Sequence, residues 1–135
     1  MRAALVDTGP LVALLDRSDA AHEACVAALR NLKIPLLTAW PVIVEAMYLL
    51  GDWEPQHALW LWIENESLQL ASLGRDDVPR MRELMAKYRD HPMDLADAAL
   101  VRVGERERIR RVFTLDRGDF ETYRLFGREQ FTIIP

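Results

Sequence analysis

Five acidic residues, Asp7, Glu45, Asp97, Asp116 and Asp119, lie at or just past the ends of short apolar runs. Asp7 closes Ala3-Ala4-Leu5-Val6, and Glu45 falls one helical turn into Pro41-Val42-Ile43-Val44-Glu45. Asp97 follows Met93-Asp94-Leu95-Ala96, while Asp116 and Asp119 follow Arg111-Val112-Phe113-Thr114-Leu115. A carboxylate at the carboxyl end of a buried strand, or on the first turns of a helix beside it, points into the crevice where open α/β sheets bind ligands. Carboxylates gathered there repel one another until a cation neutralises them, and hard oxygen ligands select Mg²⁺ or Mn²⁺.

Each acid also has a local use. Asp7 precedes a helix with Pro10 in its first turn and suits an N-cap, and Asp94 suits the cap of the helix that carries Asp97. Glu45 and Asp97 are harder to place in this way, because Val42, Ile43, Val44, Ala46 and Met47 flank one and Leu95, Ala96, Ala98, Ala99 and Leu100 the other. A carboxylate in an otherwise apolar helix is normally paired or metal-bound. A satisfied buried hydrogen bond accounts for any one of them and less well for all at once.

The elements that must carry these acids follow from hydrophobic period and punctuation. Strands are expected at residues 3–6, 34–38, 68–71, 112–115 and 131–134, with residues 119–126 left unassigned. Helices are expected from Pro10 to about Leu15, over 20–32 behind Ser18 or Asp19, after Thr38 with Gly51 as the stop, over 54–64, from Asp76 to Tyr88, and from Asp94 onward. Alternating strands and helices predict an α/β chain, a three-layer α/β/α sandwich around a mostly parallel sheet, as a single domain over residues 1–135.

Half of the residues are hydrophobic and 28% charged, an ordinary globular balance. The lone Cys25 excludes an internal disulfide and points to a reducing cytoplasm. Neither a signal segment nor a membrane-spanning run is apparent. Net charge is -4, yet residues 101–128 carry eight arginines against five acids. Such a basic edge beside an acidic pocket suits a polyanion. Alternatively, Arg102, Arg106 and Arg110 form a solvated helix face paired with Glu105 and Glu107.

Four blocks carry a family resemblance: Asp7-Thr8-Gly9-Pro10-Leu11, Thr38-Ala39-Trp40-Pro41-Val42-Ile43-Val44-Glu45-Ala46, Met93-Asp94-Leu95-Ala96-Asp97-Ala98-Ala99-Leu100 and Thr114-Leu115-Asp116-Arg117-Gly118-Asp119-Phe120. In order and spacing they resemble the PIN-domain ribonucleases, and most of all the compact VapC-type toxins of prokaryotic toxin–antitoxin pairs. The resemblance implies that Asp7, Glu45 and Asp97 are the core metal-binding acids, with Asp116 and Asp119 matching the acids of the fourth block. Thr8 and Thr114 resemble the hydroxyl residues lining the pocket. It implies a Mg²⁺-dependent endoribonuclease, with Mn²⁺ as a substitute, an RNA substrate and an antitoxin partner.

In that reading Asp7, Asp97 and Asp116 hold the metal directly or through water, Glu45 binds a second ion or orients the nucleophile, and Asp119 holds waters around the ion. Arg102 and Arg117 are the candidate substrate contacts. Two further readings stay open: a noncatalytic RNA- or protein-binding module whose acids are caps, and a housekeeping RNA-processing nuclease. His22, His57 and His91 lie outside the acidic blocks, which disfavours a metal-free histidine mechanism. A haloacid-dehalogenase-type phosphatase would need an Asp where this chain has Gly9. Leu59-Trp60-Leu61-Trp62-Ile63 is apolar around its whole helix, so it forms either an interface, as a homodimer seam or a groove for a partner helix, or a core wedge lidded by Trp53.

Overall fold

Apolar residues on both faces make the strands, and in the computed structural model, which describes residues 2–135, the innermost of them are fully sequestered. The strands are β1 (Ala4–Val6), β2 (Leu36–Thr38), β3 (Leu68–Leu70), β4 (Arg111–Phe113) and β5 (Thr132–Ile134). They form one sheet in the order β3-β2-β1-β4-β5, and every pairing within it is parallel. Parallel neighbours need crossovers. These are supplied by α1 (Thr8–Leu15) and α2 (His22–Asn31), by α3 (Trp40–Leu50) and α4 (Trp53–Glu64), by α5 (Val78–Lys87) and α6 (Leu95–Glu107), and by the short α7 (Arg117–Thr122). The result is an α/β/α sandwich.

The order reverses at β1: the chain moves outward through β2 and β3, then returns to place β4 on the other side of β1. The crevice at the carboxyl ends of β1 and β4 is therefore the topological switch point, where ligands bind in open parallel sheets. Helix α6 reaches this sheet closely at Gly104, where an added Cβ would stand 2.9 Å from the Ile109 carbonyl oxygen and 3.2 Å from Leu5 Cδ1. That contact fixes the axis of α6, and with it the start of the helix, over the switch point. Leu5, Leu11, Ile43, Leu100 and Phe113 fill the core between the layers.

Several local expectations change. Thr38 does not cap α3: Ala39 is the N-cap, and the Thr38 hydroxyl donates instead to the Val6 carbonyl at 2.9 Å, tying β2 to β1. Asp76 does not cap α5 directly, because a 3₁₀ turn (Arg75–Asp77) intervenes and buried Asp77 accepts the Gly74 N–H at 2.9 Å. Helix α2 starts at His22 with Ala21 as its cap, and Asp19 accepts the Ala21 N–H in the turn before it. The unassigned segment holds α7, and the predicted stop at Gly51 stands, with φ 73°.

The Trp-rich helix divides its faces. Leu59 is buried and Trp62 and Ile63 pack on the core, while Trp60 and Leu61 are exposed. Trp53 does not act as a lid; it is exposed and stacks on His57 at 5.1 Å. Among the described residues no helix is long and apolar enough to cross a membrane.

Candidate active site

Asp7 leaves β1 at the switch point and is held on both oxygens. Its Oδ1 accepts the Thr8 N–H at 2.8 Å, so it does cap α1, and its Oδ2 accepts the Thr114 hydroxyl at 2.9 Å. Thr114 follows β4, and its Oγ1 in turn accepts the Asp116 N–H at 3.0 Å. One threonine thus links the acids that follow the two central strands. Burial pushes the Asp7 carboxyl up to about 6; hydrogen bonds from Thr8 and Thr114 oppose the rise, and the charges of Asp116 and Glu45 add to it.

Asp97 sits in the first turn of α6, where its N–H donates to Asp94 Oδ1 at 2.8 Å, confirming Asp94 as the cap. The Tyr123 hydroxyl donates to Asp97 Oδ2 at 2.7 Å. Burial drives the Asp97 carboxyl up to about 8 against that hydrogen bond, with Asp7, Asp94 and Asp119 contributing repulsion. Glu45, half-buried on α3, is raised by burial and then by Asp94 and Asp116. Asp116 is raised by burial and then by Asp119 and Asp94.

The acids on β1, α3, α6 and the loop after β4 therefore share one electrostatic environment, in which each of these four carboxyls is harder to ionise because of another. Asp94 belongs to the same group while serving as a cap, a double role its sequence position did not suggest. His91 was placed outside the acidic blocks by its position in the chain, yet its Nε2 lies 2.8 Å from Asp119 Oδ1. Tyr123 went unnoticed altogether; it lies in the unassigned segment, and only folding brings it to Asp97.

The arginines take other positions. Arg102 donates Nε to Asp77 at 2.7 Å, and Arg106 reaches the same carboxylate at 3.0 Å. Burial opposes ionisation of Asp77, but hydrogen bonds from Gly74 and these two guanidiniums outweigh it and hold the carboxyl below its usual range. Glu105 is taken by Arg80 and the Phe126 N–H rather than by its helix neighbours. Arg117 is exposed at the start of α7, with Glu121 at 3.6 Å.

The donors offered by the acids are all hard oxygens, and their mutual repulsion is the kind a cation relieves. The Thr8 Oγ1 is the one sealed side-chain polar atom without a partner among the described residues, and it lies beside Asp7. Against a closed cage, no three His, Cys, Asp or Glu side chains among the described residues already stand close enough to hold an ion together. The set fits a hydrated Mg²⁺, which keeps several waters and takes one or two carboxylates.

The chain belongs to the PIN domain family, whose profile matches residues 4–124. Within it the chain is related to the VapC toxins of toxin–antitoxin systems. It is 28% identical over 134 residues to ribonuclease VapC26 of Mycobacterium tuberculosis, covering 97% of this chain and 99% of that protein. In fold it is similar to VapC20 of Mycobacterium tuberculosis, a sarcin–ricin-loop-cleaving toxin (TM-score 0.78, 18% identity, 86% of this chain and 93% of that one). A toxin–antitoxin complex from Klebsiella pneumoniae contains a similar chain (TM-score 0.69, 18% identity, 88% and 91% covered).

Proposed function

We propose that the protein is a Mg²⁺-dependent endoribonuclease and the toxin of a toxin–antitoxin pair, with residues 1–135 working as one PIN-like domain in the cytoplasm. The observation that carries this reading is the placement of Asp7 and Asp116 after the two central strands and their link through the Thr114 hydroxyl, which donates to Asp7 at 2.9 Å and accepts the Asp116 N–H at 3.0 Å. The ribonuclease activity named for VapC26 supports the choice of RNA.

Asp7, Asp97 and Asp116 would hold Mg²⁺, or Mn²⁺ in its place, with Asp119, steadied by His91 at 2.8 Å, holding surrounding waters. When bound, the ion neutralises phosphate oxygens, activates water and stabilises the leaving oxygen. The protein's own part is positioning. Thr8 and Thr114 orient Asp7, Tyr123 and Asp94 orient Asp97, and Glu45 would bind a second ion or orient the attacking water. Exposed Arg117 borders the acids and can meet a phosphate, whereas Arg102 would have to leave Asp77 to do so.

Attack by water leaves a 5′-phosphate and a 3′-hydroxyl. The test is cleavage of RNA with Mg²⁺, end-group analysis, and the variants Asp7→Asn and Asp97→Asn. Folded variants should lose more than the ~10–100-fold typical of outer partners of a metal ligand. Retained activity in either variant, or a 2′,3′-cyclic end, overturns the mechanism. A noncatalytic module is the second reading, favoured by the genuine capping roles of Asp7 and Asp94 and by the absence of a preformed cage among the described residues. It predicts no Mg²⁺-dependent cleavage at all.

For partners, the reading is a cognate antitoxin together with a homodimer of this chain. Trp40, Val44, Tyr48, Leu49, Trp53, Trp60 and Leu61 are exposed along α3 and α4, an unusual amount of apolar surface for a small domain. The antitoxin assignment is supported by the similar chain in the Klebsiella pneumoniae complex. A small open reading frame adjoining the gene would favour toxin over housekeeping nuclease.

A further inference from the structure

We infer that Tyr123 is a positioning residue for Asp97, fixing which carboxylate oxygen the acidic pocket receives. This rests on the cation-binding reading above and extends it to a residue outside the acidic blocks. The phenol is fully buried, and its hydroxyl donates to Asp97 Oδ2 at 2.7 Å. The Asp97 N–H is spent on Asp94, so the backbone at this turn is pinned independently of the side chain. With Oδ2 accepting from the phenol, Oδ1 has no hydrogen-bond partner among the described residues and is the oxygen we assign to the cation.

The phenol itself is held from three sides. Tyr88, Phe120 and His91 meet its ring edge-on, with centroids at 5.0, 5.3 and 5.7 Å. Two of these have their own anchors: the Tyr88 hydroxyl accepts the Arg124 N–H at 3.0 Å, and His91 lies 2.8 Å from Asp119. Edge-to-face packing of this kind prescribes ring orientation as well as burial. A phenol needing only a buried acceptor could have used a backbone carbonyl. Here it is aimed at an acid in the cluster, and the same wall carries His91 to Asp119. Partners that orient a metal ligand typically change metal affinity about 10–100-fold when removed.

The test uses chelator-stripped full-length protein titrated with Mn²⁺, following free Mn²⁺ by electron paramagnetic resonance. Tyr123→Phe keeps the ring and deletes only the oxygen. It should weaken the Mn²⁺ Kd by about 10-fold or more. On an RNA oligonucleotide, kcat at fixed Mn²⁺ should fall while KM is unchanged. A Tyr123→Phe protein that melts earlier yet binds Mn²⁺ like the wild type overturns the inference and makes the phenol merely structural. Should Tyr123→Phe not fold, the wild type still decides: the Tyr123 ring carbon resonances in NMR spectra should shift on Mg²⁺ saturation, and no shift refutes the role. Failure of the wild type to bind Mn²⁺ instead removes the cation-binding reading itself, and this inference with it.

Discussion

At the scale of single residues the site is defined by carboxyls that resist ionisation. Asp97 at about 8 and Asp7 at about 6 both sit above their unfolded values, so the native state binds protons that the unfolded chain has released. Their contribution to stability is complete at low pH and is lost as pH rises through about 6 and then about 8. Asp77 and Glu105 act oppositely: burial resists their ionisation, but arginine and backbone donors hold both low, and their contribution is lost on acidification below the usual carboxylate range. Metal-free protein should therefore melt at progressively lower temperature from about pH 5 to about pH 8, most steeply below about pH 6 where both acids contribute, and saturating Mg²⁺ should flatten that slope. Calorimetry across this range checks it; a metal-free Tm that climbs toward pH 8 would contradict the burial assigned to Asp97. The acids were legible because each interrupts or ends an apolar run. Tyr123 and His91 were not, since nothing in a local pattern records which distant acid a phenol or imidazole will meet.

Among elements, the loop after β4 matters most, because Thr114 relays between Asp7 Oδ2 and the Asp116 N–H. Thr114→Val keeps the shape and removes both bonds. It should cost about 1–3 kcal/mol in stability, as for a buried polar partner left unsatisfied. Activity should fall about 10–100-fold, as for partners that orient metal ligands. Denaturant melts and kcat measure the two separately, and unchanged activity would show that Asp7 needs no such support. Strand and helix identity was readable from period and from stops such as Gly51. Capping was less so. Thr38 and Asp76 have the right chemistry for a cap, but Thr38 found the Val6 carbonyl on the neighbouring strand, and the chain at Asp76 turned before its helix began. The basic stretch was visible as composition, whereas the attachment of Arg102 and Arg106 to Asp77 depends on α6 lying beside the turn that precedes α5.

For the whole molecule, the reversal of strand order at β1 sets the carboxyl ends of β1 and β4 side by side, and the parallel sheet that does so was readable in advance from the alternation of strands and helices. The apolar stripe on α3 and α4 was expected from Leu59 to Ile63, but its extent, from Trp40 to Leu61, emerges only when both helices are in place. If that stripe closes a homodimer, Tyr48→Glu with Trp60→Glu should move the light-scattering mass from twice to once that of the chain, with the fold intact. A wild-type monomer at high concentration would reserve the stripe for the antitoxin. Sharing of one cation by acids from separate elements can be seen by anomalous diffraction from crystals soaked in Mn²⁺. A peak bounded by Asp7, Glu45, Asp97 and Asp116 is expected; saturating Mn²⁺ that leaves this crevice without a peak would contradict the shared site.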